Sequence, residues 1–427
     1  MWFLMGAMAV ALAACETTSQ GTLISEPYAF ERGVVTVEEE LARLQQQIAG
    51  ASARAEDGGH SWRPFAERAG YELRRARLGG GQLAYEGARA DLDRAFARAP
   101  EGSGPWLELA RLEFTLHRLP EAEEALARAS DAILIDDPTL AAIEGLRGDV
   151  ALQRGRVVEA WVAFSTAEQL HPTSDAAARL ALWYRRVGDR SRADEFYALA
   201  ADRYHGVEAF PRAWFELQRG LLDLDLGDYQ AALDHYLQAN RALSGFYLVE
   251  EHVAEVLVEQ GALAQALHVY LDLIGRTNSP EFMDALAALY ELAGEDDVSR
   301  AWIEEARVSH ELAIAAAPET GRGHALRHFL VHGPPERALE LAREDQNLRP
   351  NPLTTRQLAQ AWAGVGEQAK ARQRIDEALG GGWSSFELHE TAAQLYGVFG
   401  DDVEASHQWT LACMVAPLRC DEHQLPE

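Results

Sequence analysis

Lysine is almost absent from this sequence of 427 residues, in which Lys370 is the only one and arginine supplies the other basic side chains. Acidic residues outnumber basic ones by 67 to 39, so the formal net charge is −28. A surface of that sign repels phosphate backbones and anionic lipid head groups. The composition therefore disfavours nucleic-acid binding and predicts a protein or peptide partner of basic character.

Complete catalytic motifs are also missing from the sequence. The pairs His310-Glu311 and His389-Glu390 are not followed by the second histidine of a zinc-protease HExxH motif. Neither a G-x-S-x-G elbow nor a phosphate-binding Walker loop occurs. We therefore expect no enzymatic activity and no cofactor.

Cysteine is scarce, and one of the three cysteines lies next to the most hydrophobic run of the chain. Cys15 follows Leu12-Ala13-Ala14 at the end of the apolar stretch Trp2–Ala14, which is too short to cross a bilayer. This arrangement resembles the signal peptide and lipobox of bacterial lipoproteins, over residues 1–15. The resemblance implies acylation of Cys15. Because Glu16 is not the aspartate that retains such proteins at the inner membrane, it also implies a lipid anchor at the periplasmic face of the outer membrane.

The other two cysteines, Cys413 and Cys420, flank Pro417. An exported protein meets an oxidising environment in which a disulfide can form. The spacing alone leaves two alternatives open, a disulfide or two free thiols, because the distance between the two Cα atoms decides between them.

The most regular feature of the chain is a glycine that recurs at near-constant intervals. The intervals are 33, 39, 34, 33, 39, 33 and 34 residues, and the glycines are Gly155, Gly188, Gly227, Gly261, Gly294, Gly333, Gly366 and Gly400. A period of about 34 residues is typical of stacked helix pairs, in which a glycine ends the first helix in a left-handed conformation.

Small and large residues recur in phase with these glycines. The small residues are Ala110, Gly148, Ala181, Gly220, Ala254, Ala287, Ala359 and Ala393 in the first helices and Ala122, Ala160, Ala193, Ala232, Ala266, Ala338, Ala371 and Ala405 in the second. Large residues follow four positions later, namely Leu126, Phe164, Tyr197, Tyr236, Tyr270, Ile375 and Trp409. The pattern resembles tetratricopeptide repeats, whose small side chains let paired helices approach closely.

The predicted fold is an all-α, right-handed superhelical solenoid of about nine such helix pairs over residues 101–417. Residues 16–36 lack a helical period and predict a flexible tether. Residues 37–100 predict an N-terminal helical segment or cap, and residues 418–427 a C-terminal tail. Leu326 replaces the small residue of the seventh repeat, and the two 39-residue intervals predict longer loops or bends.

The candidate partner-binding residues are carboxylates on the first helices. In the family that these repeats resemble, the corresponding positions face the concave surface. They are Asp149, Asp175, Asp225, Glu251, Glu255, Glu259, Glu281, Asp284 and Glu291. Glu251, Glu255 and Glu259 are spaced by four residues and share one helical face, although like charges at that spacing oppose helix formation. We expect either a surface that holds a basic peptide or a solvated face of an acidic protein.

Three histidines at the same spacing provide a competing interpretation. His324, His328 and His332 share one face of a predicted helix, and imidazoles one turn apart can chelate zinc. These histidines make a metal-dependent envelope hydrolase one alternative function. A self-associating structural lipoprotein is another. With no further ligand adjacent in sequence, the sequence predicts no metal site.

The favoured expectation is a membrane-anchored periplasmic adaptor that binds protein partners in the concave surface.

Overall fold

The computed structural model describes residues 26–57, 61–131 and 135–420, so the predicted signal peptide with Cys15 lies outside the described residues. The described chain is almost entirely helical, and its consecutive helices pack in tandem. It is an all-α solenoid, as the repeat pattern predicts. Within the described ranges, no helix combines the length and the apolar character needed to cross a membrane.

Helices α1 to α3 precede the repeats, at Val37–Asp57, Arg63–Arg75 and Gly81–Phe96, with a π-helical turn at Ala76–Gly80. Nine helix pairs follow within the described residues. Their bounds are Trp106–Thr115 with Leu119–Ser130 (α4, α5), Asp137–Gln153 with Val157–Leu170 (α6, α7), Ser174–Arg186 with Arg190–Arg203 (α8, α9), Ala209–Leu226 with Tyr229–Ala242 (α10, α11), Tyr247–Glu259 with Leu263–Thr277 (α12, α13), Pro280–Leu292 with Asp296–Ala316 (α14, α15), Pro318–His332 with Pro335–Leu348 (α16, α17), Pro352–Gly364 with Gln368–Leu379 (α18, α19), and Phe386–Val398 with Asp402–Val415 (α20, α21). A short helix α22 (Pro417–Cys420) ends the described chain.

The small residues of the repeat lie where the two helices of a pair cross. Ala110, Ala181, Ala254 and Ala359 are fully buried. A Cβ atom built on Gly148 would lie 2.3 Å from Phe164, and one built on Gly220 would lie 2.4 Å from the Tyr236 ring. The aromatic ring of the second helix therefore occupies the space that the missing side chain leaves on the first.

The recurring turn glycines adopt the left-handed conformation that the sequence predicts, with one exception. Seven of the eight have φ between +70° and +90°. Gly333 is extended instead, with φ of −98° and ψ of 173°. Pro334 follows it and disfavours helical backbone in the preceding residue. In the first repeat the left-handed position is filled by His117, with φ of 59°.

The predicted tether differs from the structure over the part that is described. Residues 26–36 lie against the fourth and fifth repeats instead of extending freely. Strand β1 (Val35–Thr36) pairs in parallel with strand β2 (Leu243–Ser244), which connects α11 to α12. The Asn240 side chain donates a 2.8 Å hydrogen bond to the Glu31 carbonyl. The backbone of the connection between the fourth and fifth repeats thus pairs with residues 35–36. Helical periodicity in the sequence could not predict this pairing.

The C-terminal cysteines are bonded to each other. Cys413 in α21 and Cys420 in α22 form a disulfide, with 5.5 Å between their Cα atoms. Of the predicted tail, residues 418–420 belong to α22, and the rest lies outside the described residues. Arg419 packs over the Phe386 ring, with 3.7 Å from its guanidinium carbon to the ring centroid.

The turn glycines allow a direct test of backbone conformation. Gly366 has φ of +78° and no atom near the place of a Cβ, so Gly366→Ala should destabilise the protein by about 1–2 kcal/mol through backbone strain alone. Gly275 lies in helix α13 and is equally free of neighbours. Gly275→Ala should raise stability by about 0.5–1 kcal/mol. Thermal unfolding followed by circular dichroism measures both, and equal shifts would contradict the assignment.

Candidate binding hollow

The first helices of the repeats line a partly enclosed hollow of about 380 Å³. Its walls come from α8, α10, α12, α16, α18 and the start of α20, and include both charged and apolar side chains. Helices far apart in sequence thus face each other across one space. This is the concave side of the solenoid, where the sequence predicts a partner.

The hollow is partly enclosed because late repeats pack against early ones. The Asn351 side chain donates to the Gln153 carbonyl at 3.1 Å, across 198 residues of sequence. Arg118 donates to Glu319 at 3.0 Å, and the Ser384 amide donates to the Arg186 carbonyl at 2.9 Å. The glycine turns allow this approach: a Cβ on Gly155 would lie 2.9 Å from the Pro350 carbonyl oxygen.

Cationic side chains outnumber carboxylates on the walls of the hollow. Five arginines and three carboxylates line it, although the whole chain is strongly acidic. The carboxylates are all paired: Asp225 with Arg185 at 2.7 Å, Glu255 with His252 at 2.6 Å, and Glu387 with Arg419 at 3.0 Å. The walls therefore carry a surplus of positive charge.

Arg186 and Arg327 carry this surplus. Neither makes an ion pair or a hydrogen bond from its side chain to any described residue, whereas Arg349 pairs with Asp345 at 2.7 Å. The Arg186 guanidinium packs on the Trp383 ring, 4.6 Å from its centroid. Burial and the adjacent charge of Arg185 lower the pKa of Arg186 to about 10, so it stays protonated at neutral pH.

An unsatisfied donor accompanies these cations. The indole Nε1–H of Trp383 is buried and has no hydrogen-bond acceptor among the described residues. A buried donor without an acceptor costs about 1–3 kcal/mol, and a partly buried cation that forms no direct ion pair is also unfavourable. An anionic or carbonyl-rich ligand would satisfy all three groups.

Most of the carboxylates predicted as candidate partner-binding residues are paired or buried in the structure. Neighbouring helices place a cation or an imidazole beside the carboxylates: Arg179 lies 2.8 Å from Asp149, and His324 lies 2.7 Å from Glu281. Asp284 is bound by two histidines, and Asp225 and Glu255 are paired as described above. Glu251 is buried, whereas Asp175 and Glu291 are exposed and Glu259 is partly exposed. The sequence prediction considered each helix alone, whereas the partners of Asp149 and Glu281 lie on neighbouring helices.

The three histidines of α16 do not converge on one point. His324 is more than half exposed and contacts Glu281, while His328 is completely buried and contacts Asp284 at 2.7 Å. The second imidazole beside Asp284 is His310 of α15, whose Nε2 lies 2.8 Å from the carboxylate. The predicted alternative of a metal centre on His324, His328 and His332 is therefore wrong, because successive turns of α16 meet different surroundings.

Sequence and structure comparisons bear on the fold alone. A scan against models of known protein families finds no match, and neither does a search of curated proteins. Among solved structures, a tetratricopeptide repeat protein from Parabacteroides merdae matches at 14% identity and a TM-score of 0.35, over 57% of this chain and 93% of that one. The human IFIT1 dimer with m7Gppp-AAAA matches at 12% identity and 0.43, over 90% and 96%. The Cut9–Hcn1 structure of the APC/C matches at 14% identity and 0.37, over 90% and 81%.

The stability of the protein should depend on pH through His117, which lines the hollow. Burial, Arg349 and His324 lower the pKa of His117 to about 4, compared with about 6.5 in an unfolded chain. Its contribution to stability is complete above pH 6.5 and is lost as the pH falls toward 4, by about 3 kcal/mol at most.

Thermal unfolding between pH 7.5 and pH 4 measures this effect. His117→Asn retains a residue type that tolerates left-handed backbone, and its unfolding midpoint should fall less steeply with pH than that of the wild type. A matched variant, His171→Asn, removes an exposed histidine and should preserve the wild-type slope. Parallel pH profiles for all three proteins would refute the assignment to His117.

Proposed function

We propose that this tetratricopeptide-like repeat protein is a lipid-anchored adaptor of the bacterial envelope, which holds a segment of a partner protein in its hollow. The fold is that of a protein-interaction scaffold, since such solenoids present concave binding surfaces. The lipobox-like residues around Cys15 support the anchor and the outer-membrane location. The absence of a complete catalytic motif in the sequence agrees with binding as the main activity.

The observation that carries the proposal is the donor-rich character of the hollow. Arg186, Arg327 and the Trp383 indole form no side-chain hydrogen bond or ion pair with any described residue, whereas the nearby carboxylates are paired. An acidic peptide segment would complete these groups with carboxylate and carbonyl oxygens. Charge-assisted hydrogen bonds of this kind contribute about 1.5–3 kcal/mol each.

This proposal reverses the charge expected for the partner. The expectation of a basic peptide depended on carboxylates that the structure pairs internally. The net charge of the chain opposes an acidic partner at long range. At physiological ionic strength the Debye length is about 8 Å, so the local cations of the hollow decide the interaction once the segment has entered.

A direct binding experiment tests the charge preference. Fluorescence anisotropy is measured with a labelled Asp/Glu-rich peptide, a Lys-rich peptide of the same length and a short RNA. We expect the acidic peptide to bind best, and the double variant Arg186→Gln and Arg327→Gln to weaken it at least tenfold. Arg300→Gln, an exposed arginine on α15, is the control and should leave the affinity unchanged.

Three outcomes would overturn the acidic-segment proposal. They are preferential binding of the Lys-rich peptide, preferential binding of the RNA, and binding of the acidic peptide that survives the double variant. Circular dichroism of the variants shows whether the fold is kept.

Labelling with a fatty acid tests the proposed lipid anchor at Cys15. Cells grown with a labelled fatty acid should incorporate label into the wild-type protein and lose it in Cys15→Ala, because the acyl chains attach to that thiol. Cys413→Ala keeps Cys15 and should remain labelled. An unlabelled wild-type protein, or a labelled Cys15→Ala variant, contradicts lipidation at this residue and leaves the binding proposal to its own experiment.

A further inference from the structure

A buried carboxylate and two buried imidazoles meet at the joint between the sixth and seventh repeats. Asp284 lies on α14, His310 on α15 and His328 on α16. The His310 Nε2 atom lies 2.8 Å from one oxygen of Asp284, and the His328 Nδ1 atom lies 2.7 Å from the other. The side chains of the two histidines are at most 1% exposed, and that of Asp284 is 10% exposed.

These three side chains form a metal-ligand set. Their ligand atoms all lie within 4.8 Å of one another, and this is the one such group of three or more in the part of the chain that the structure describes. Two imidazole nitrogens and a carboxylate oxygen are the donors that Zn²⁺ takes at about 2.0–2.2 Å. Only small side-chain movements would bring the three atoms around one ion.

The surroundings indicate why an ion would be held here. Asp284 is largely removed from water, and each of its two carboxylate oxygens contacts one of the two buried histidines. A divalent cation bound among these atoms would compensate the charge of the buried carboxylate. The ligands come from three consecutive helices, so a bound ion would strengthen a joint that the contacts of Asp284 with the two histidines already form.

We propose that Asp284, His310 and His328 bind one zinc-class divalent ion, which clamps α14, α15 and α16. The site is structural, because buried ligands leave a substrate no access. It is separate from the hollow, whose walls include none of the three. It also differs from the chelate predicted on α16 alone, since two of its ligands lie on other helices.

The clamp lies where the repeats are least regular. Helix α15 has 21 residues, and Leu326 takes the place of a small residue in α16. Helix α16 also contributes His324 and Arg327 to the wall of the hollow. Glu319 in its first turn pairs with Arg118. An ion bound to one face of α16 would therefore hold in place the helix that closes the hollow.

Metal analysis of the full chain, purified without a histidine tag, tests the proposal. After chelation and dialysis against Zn²⁺ alone, we expect about one ion per wild-type chain and a higher unfolding temperature that a chelator reverses. His310→Gln and His328→Gln should each lose the ion and the temperature shift. His252→Gln removes another imidazole that contacts a buried carboxylate and should keep both.

Binding of Co²⁺ in place of Zn²⁺ tests the site in the wild-type protein, so the result does not depend on whether the variants fold. Co²⁺ bound by two imidazoles and a carboxylate in a tetrahedral site absorbs visible light, and the wild type should show this band at saturation with one equivalent. Wild-type protein that gives no such band and holds no stoichiometric Zn²⁺ would overturn the proposal. Folded His310→Gln and His328→Gln variants that retain the ion would overturn it equally.

Discussion

The close crossing of the two helices in each repeat is the contact on which the rest of the structure depends. Where Gly148 meets Phe164 and Gly220 meets Tyr236, a single added carbon would overlap the ring. Since packed interiors tolerate little change in volume, the small residue sets the distance between the helices and the ring sets their register. Repetition of this crossing along the chain produces a curved stack with a concave side.

The curvature of the stack alone would leave its concave side open. Contacts between distant repeats partly enclose this side. The contacts are few and specific: Asn351 with Gln153, Arg118 with Glu319, and Ser384 with Arg186. They involve turns as well as helices, which explains why the turn glycines serve two purposes. A left-handed glycine ends the first helix, and at Gly155 the missing side chain also admits the backbone of a repeat almost 200 residues away.

Enclosure changes the chemistry of the concave surface. Carboxylates that would be solvated on an isolated helix lie beside arginine or histidine from a neighbouring helix, as Asp149 does beside Arg179. Among the described side chains that line the hollow, Arg186, Arg327 and the Trp383 indole form no hydrogen bond or ion pair. An acidic protein can therefore contain a hollow of the opposite character, because net charge is a sum over the whole chain and does not say how the charges are distributed.

The sequence by itself determined the repeat. The interval of the glycines, the buried alanines and the aromatic residues four positions later all concern contacts within about 34 residues, and these can be inferred from local periodicity. The same periodicity could not show that residues 26–36 pair with the α11–α12 connection, that Gly333 is extended, or that His117 occupies a left-handed turn.

The tertiary structure alone decided which groups meet. The contacts across the hollow and the cluster of Asp284, His310 and His328 join side chains that are between 18 and about 200 residues apart. Their proximity depends on the cumulative rotation from one repeat to the next. Small differences in helix length and turn geometry add up along the solenoid, so no single repeat contains the information that places these groups together.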